Sequence, residues 1–149
     1  MDVTIGLELP TWEVEEVSAE KMKTMALVFR DPSPIHWDAS VVAALGMGDK
    51  PINQGPVSLS YVANMLIAWL GDPSCILSLK ARFLANVAAG DSVQAGGRVV
   101  SIDQDDSGRR ALCDVWLVRS NDEKPLISGS AVVRVWPGRT TATCYQPAH

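Results

Sequence analysis

The spacing of apolar positions changes character along the chain. Near the start, Trp12, Val14 and Val17 stand among glutamates, and Thr11 to Val17 predicts a strand with alternating faces. Met22, Met25, Ala26 and Phe29 then recur at helical spacing, which predicts a helix from about Ala19 to Phe29 with one apolar face. Ser18 suits its N-cap, and Glu20 in the first turn favours the positive end of the helix dipole. The helix must stop at Arg30, because Pro32 and Pro34 follow. Asp38 can cap a short second helix, Ala39 to Leu45, which Gly46, Gly48 and Asp49-Lys50-Pro51 end. A third helix is predicted from Pro56 to about Leu70, with Gly55-Pro56 as its start signal and Gly71-Asp72-Pro73 as its stop. Val57, Leu59, Tyr61, Val62, Met65, Leu66, Ile67, Trp69 and Leu70 cover nearly every side of it, so it belongs inside the protein. It is too short to cross a bilayer.

After Pro73 the period becomes two. Cys75, Leu77, Leu79, Ala81 and Phe83 alternate with Ser78, Lys80 and Arg82, a strand pattern. Ala89-Gly90-Asp91 reads as a turn, and Val93 to Ile102 as a strand in which Gly96-Gly97 hints at a bulge or close packing. A polar turn is expected over Asp103 to Gly108. Two more strands, Arg110 to Arg119 and Leu126 to Trp136, are joined by Ser120 to Pro125. Residues 137–149 show no period and read as a tail. Antiparallel strands beside segregated helices argue for an α+β class, with one sheet of about five strands curled around the long buried helix.

Length and composition narrow the function. A chain of 149 residues fits one domain, residues 1–149, and can bury a core without disulfides or metal. With 47% hydrophobic and 20% charged residues it is globular, not disordered. A net charge of -4 argues against nucleic acid as a partner, though a phosphorylated small ligand needs only a few local cations. Cys75, Cys113 and Cys144 are far apart, the histidines are His36 and His149, and no structural zinc site is expected. No apolar run reaches membrane length and no leader is evident, so the cytoplasm is the expected compartment.

The candidate chemistry lies between the first two helices, in Phe29-Arg-Asp-Pro-Ser-Pro-Ile-His-Trp-Asp38. Pro32 and Pro34 fix their own φ and push Asp31 and Ser33 toward extended conformations. The stretch is therefore a stiff connector holding a carboxylate, Asp31, and an imidazole, His36, which can exchange protons. Turn-forming residues and a structural histidine remain the plainer reading of the same letters. Gly55 is equally open. It can be a simple helix cap, or a backbone N–H presented to an incoming anion at the positive end of a buried helix. Asp38 reads as a cap. Tyr61, Trp69 and Met47 can fill core or line a pocket. Lys80, Arg82 and Arg98 can meet phosphates or simply face solvent.

These residues together resemble the MaoC-type hot-dog family, the (R)-specific enoyl-CoA hydratases and related acyl dehydratases. The resemblance runs from about Leu9 to Trp136. The family motif, Gly-Asp-x-Asn-Pro-(apolar)-His-x-Asp, stands here as Arg30-Asp31-Pro32-Ser33-Pro34-Ile35-His36-Trp37-Asp38. A glycine starting the central helix corresponds to Gly55 in Ile52-Asn-Gln-Gly-Pro56, and Arg82-Phe83, Gly90-Asp91 and Ser128-Gly-Ser-Ala131 match later family positions. Arg30, Ser33 and Gln54 depart from the usual small residue, Asn and His. The resemblance implies reversible addition of water across the 2,3 double bond of an enoyl-CoA. Asp31 and His36 would act on one water, the Gly55 N–H would receive the thioester oxygen, and Ser33 and Gln54 would support the loop. It implies no cofactor beyond the coenzyme A of the substrate, and a dimer of hot-dog subunits, homomeric or heteromeric. A non-catalytic subunit of a heteromeric hydratase, on bulky or steroid side-chain thioesters, or an acyl-CoA-binding module is the alternative. A thioesterase on this fold would use a carboxylate on the central helix, and positions 56–70 hold none.

Overall fold

The computed structural model describes residues 2–105 and 108–136. The expected tail over 137–149, with Cys144 and His149, lies outside them. Strand β1 (Trp12–Val14) is followed by helices α1 (Ala19–Phe29), α2 (Ala39–Ala44) and α3 (Gly55–Leu70), then by strands β2 (Ile76–Phe83), β3 (Val93–Asp105), β4 (Gly108–Arg119) and β5 (Asp122–Val135). The five strands form one sheet in the order β1-β3-β4-β5-β2, and every pairing is antiparallel. Helix α3 touches all five strands. Its Val62, Met65, Leu66 and Trp69 are buried against sheet residues such as Val99, Cys113, Leu117, Ile127 and Val133. Each such side chain contributes roughly 1.5–3 kcal/mol of transfer free energy, so this contact organises the fold. No helix among the described residues is long and apolar enough to cross a membrane.

Local signals set the helix ends. Ser18 Oγ accepts from Lys21 N at 3.3 Å, and Asp38 Oδ1 accepts from Ser40 N at 2.9 Å and Val41 N at 3.4 Å. These bonds satisfy first-turn amides that the helices cannot. The Ser40 hydroxyl, then its amide, hold the Asp38 carboxyl below its ordinary range. Gly71 ends α3 in the left-handed conformation, φ 71. Helix α3 begins one residue earlier than expected, with Gln54 at the N-cap, Gly55 first and Pro56 second.

The strands depart more from expectation. β1 keeps only three residues of the expected Thr11–Val17, because past Val14 the chain turns off the sheet edge and Val17 N bonds Asp91 O. In β2 a register shift between Ile76 and Ser78 breaks the alternation. Leu77 therefore points outward at 41% exposure, while Ile76, Leu79 and Ala81 pack on the core. β3 runs on to Asp105 through the expected polar turn, since Asp103, Gln104 and Asp105 pair with Arg110, Arg109 and Gly108. Gly96 and Gly97 mark close packing, and the β3 bulge falls later, between Val99 and Ser101. A side chain on Gly96 would meet the Trp116 indole at 2.5 Å. Gly129 lies so near the backbone of Lys80 and Ala81 that β2 and β5 could not pair past a larger residue there.

Candidate active site

Two anchors fix the loop between α1 and α2. At the end of α1 the chain turns through Arg30 in the left-handed conformation, φ 53, and Asp31 N bonds back to Ala26 O at 2.9 Å. That backbone bond sets where the Asp31 side chain starts. Farther on, Pro34–His36 wind into one 3-10 turn, with Trp37 N and Asp38 N both reaching Pro34 O. This turn is tied to the segment leading into α3 by a reciprocal pair: Ile52 N donates to Ile35 O at 2.9 Å, and His36 Nδ1 donates to Ile52 O at 2.6 Å. The sequence interval between loop and helix is thus closed by two hydrogen bonds, one of them on the imidazole itself.

The two anchors bring Asp31 and His36 together. Asp31 Oδ2 lies 3.1 Å from His36 Nε2. The other carboxylate oxygen, Oδ1, accepts from Ser33 N at 2.9 Å. The His36 side chain is 9% exposed and that of Asp31 33%, so the carboxylate faces the solvent side of the pair. The hydrogen bonds also settle the tautomer. A carbonyl oxygen only accepts, so Nδ1 carries a proton toward Ile52. Nε2 is then the ring nitrogen that faces the carboxylate, 3.1 Å from Oδ2, within hydrogen-bond distance.

Gly55 is the first residue of α3. Its N–H has no acceptor among the described residues, because Gln54 makes no side-chain cap bond, and Pro56 has no N–H at all. The positive end of a 16-residue helix is therefore left open at that amide. The Phe83 ring stands over the same residue: a methyl on Gly55 would lie 3.4 Å from it, ordinary contact.

Ser33 and Gln54, expected to support the loop, make different contacts. Ser33 holds Asp31 through its backbone N–H, not its hydroxyl. Gln54 is 1% exposed and donates from Nε2 to Met22 O at 2.9 Å, so it ties the start of α3 to α1 and not to the loop. Its Oε1 has no partner. Next to it Asn53 Nδ2 donates to Ser58 Oγ at 3.0 Å and Tyr61 OH at 3.4 Å. Burial outweighs that bond and raises the Tyr61 phenol above its ordinary range.

A cavity of about 570 Å³ opens beside Asp31, lined by Lys23, Ala26, Leu27, Arg30, Asp31, Pro32 and Trp37. That volume suits a small organic ligand. Sequence reasoning did not find this lining. Trp69 is 2% exposed in the core, Tyr61 packs against the core, and Met47 lies outside the cavity. The available signal was the polar and apolar mixture on the α1 face that ends at Arg30, which reads as a solvent face until the loop folds beside it. Arg98 pairs with Glu8, with Nε 2.6 Å from Oε1, while Lys80 and Arg82 lie on the exposed side of β2.

A search of the curated proteins finds no match. Among solved structures, a MaoC-like dehydratase is 27% identical with a TM-score of 0.81, covering 91% of this chain and 41% of that one. The chain thus spans less than half the length of that relative. The R-hydratase PhaJ1 from Pseudomonas aeruginosa, unliganded, is 19% identical, with a TM-score of 0.76 and coverage of 89% of this chain and 82% of that one. The ChsH1-ChsH2 complex from Mycobacterium tuberculosis gives 18% identity, a TM-score of 0.76, and coverage of 91% and 100%. At these identities the last two speak for the fold, a hot-dog sheet with a helix packed against it. A family model described as the MaoC-like domain matches residues 4–112, well over half of the sequence. With its antiparallel sheet folded against α3, the chain belongs to the MaoC-like hydratase and dehydratase family.

Proposed function

We propose that the protein adds water reversibly across the 2,3 double bond of an enoyl-CoA thioester, giving a 3-hydroxyacyl-CoA. The observation that carries this reading is the Asp31–His36 contact, with His36 fixed from behind by Ile52 O. The pair holds one proton and meets substrate through Oδ2 and Nε2. A water inserted between these atoms delivers its OH to C3 and leaves its own proton on the pair. The proton already there passes to C2. Substrate gains the elements of one water, and the pair ends with the single proton it began with. A positioned acid–base pair of this kind is worth about 10²–10⁴-fold in rate. Negative charge that develops on the thioester oxygen is received by the Gly55 N–H, where loss of one such donor costs on the order of 10²–10³-fold.

A screen of enoyl-CoA thioesters from crotonyl to steroid-sized acyl groups, followed by loss of the conjugated absorbance, tests the reading. Turnover of at least one is expected. Tight binding of several without turnover of any would overturn it and favour the second reading, a non-catalytic subunit. One observation favours a partner subunit: β2 is an edge strand, eight residues long, with Leu77, Phe83 and Leu84 exposed beside it. Such edges are normally covered. A dimer with a second hot-dog chain, like or unlike, covers it, and for a like partner light scattering at micromolar concentration should give twice the chain mass. A monomer would refute self-pairing and leave the unlike partner.

A further inference from the structure

We propose that Arg30 and Lys23 form an anion-binding rim that reads a carboxylate or phosphate group of the thioester substrate near its reacting double bond. The proposal rests on the hydratase reading and adds a substrate class to it. Its first support is the backbone. Arg30 is the one non-glycine residue with positive φ among the described residues. It occupies the position after α1 where glycine is favoured, since a Cβ crowds the neighbouring carbonyl. A strained residue kept in place of glycine points to work for its side chain.

The second support is charge. The Arg30 guanidinium has no hydrogen-bond or ion-pair partner among the described residues. By contrast Arg98 meets Glu8, Arg109 meets Val3 O, and Arg119 meets Asp91. Lys23, on α1, lines the same cavity as Arg30, and its contact, Glu20 at 2.8 Å, is an exposed pair of little strength. The chain carries a net charge of -4, which repels an anionic substrate unless cations are placed where it docks.

The third support is the cavity. Ala26, Leu27, Pro32 and Trp37 give it an apolar wall for a carbon chain, and Lys23, Arg30 and Asp31 line it as well. Arg30 and Asp31 line this one cavity, so an anion held there by Arg30 shares it with the Asp31 carboxylate. The long pantetheine arm puts the coenzyme phosphates far from the thioester. Sharing a cavity with Asp31 therefore favours a carboxylate on the acyl chain.

The test measures calorimetric binding of three saturated thioesters, which cannot be hydrated, to wild type and to Arg30→Gly. Butyryl-pantetheine carries no anion, and butyryl-CoA carries phosphates alone. The mono-CoA thioester of a six-carbon dicarboxylic acid carries a chain carboxylate as well. The variant should weaken the dicarboxylic thioester about tenfold relative to butyryl-pantetheine, the size of a lost charge-assisted hydrogen bond. Lys23→Gln should do the same to a smaller degree. Weakening of the dicarboxylic thioester alone assigns the anion to the acyl chain; equal weakening of butyryl-CoA assigns it to the phosphates. Release of the strained backbone should raise the Tm of Arg30→Gly by about 2–4 °C. Equal effects on all three thioesters, no effect on any, or a lower Tm overturns the proposal. Because no turnover is needed, a wild type that binds selectively but hydrates nothing defeats the hydratase reading and leaves the rim standing. A wild type that binds none of the three overturns both.

Discussion

Replacing Asp31 by Asn tests the shared proton with little disturbance of the fold. The Asn side-chain carbonyl takes the place of Oδ1 and still accepts from Ser33 N, a 2.9 Å bond in the wild type. Its NH2 takes the place of Oδ2, 3.1 Å from His36 Nε2, and donates to the lone pair that the Nδ1–Ile52 bond leaves there. Both hydrogen bonds survive at a side chain that is 33% exposed, so stability should change by less than about 1 kcal/mol. The chemistry does not survive, because an amide neither takes nor gives a proton at neutral pH. Loss of the acid–base pair should lower kcat by about 10²–10⁴-fold, or about 3–5 kcal/mol in barrier height. The assay is disappearance of enoyl-thioester absorbance on the best substrate from the screen, beside a thermal melt of the same preparation. A folded variant that keeps more than a tenth of wild-type kcat would refute the argument.

Three further outcomes are expected. His36→Ala should lose activity to a similar extent but also melt earlier, by about 1–3 kcal/mol, because the Ile52 carbonyl loses its 2.6 Å partner. Combined with Asp31→Asn it should cost little more activity than either change alone, and multiplying losses would show independent roles. Gly55→Ala should fold with a near-normal melt, since its methyl meets the Phe83 ring at 3.4 Å, while kcat falls at least about tenfold through crowding at the N–H. Unchanged kcat would return Gly55 to a plain helix start. Burial first, and then the charges of Asp72 and Asp114, push the Cys75 and Cys113 thiols from 9.0 up to about 11. Between these values the unfolded chain releases protons that the folded one keeps, so the thiols' contribution to stability should be level below pH 9 and fall toward pH 11, by about 2–3 kcal/mol per thiol. Urea titrations across this range should show a flatter fall in Cys75→Ala/Cys113→Ala, and parallel curves would sink the assignment.

The letters of the chain decided whatever depends on near neighbours. The limits of α1, its Ser18 cap, the Asp38 cap and the enclosed character of α3 follow from side chains within a turn of each other. The proline-braced loop was legible for the same reason, and with it Asp31 and His36 as a candidate pair. What needed the folded chain were distances across long sequence intervals. Ile52 lies 16 positions from His36, and only tertiary closure makes its carbonyl fix the ring and free Nε2 for Asp31. Gln54 reaches Met22 across 32 positions for the same kind of reason. The bulge that turns Leu77 outward, and the extension of β3 through polar residues, come from pairing with partner strands that no local pattern encodes. The cavity beside Arg30 exists only because α1 and the loop pack edge to edge, which a sequence records as two separate segments.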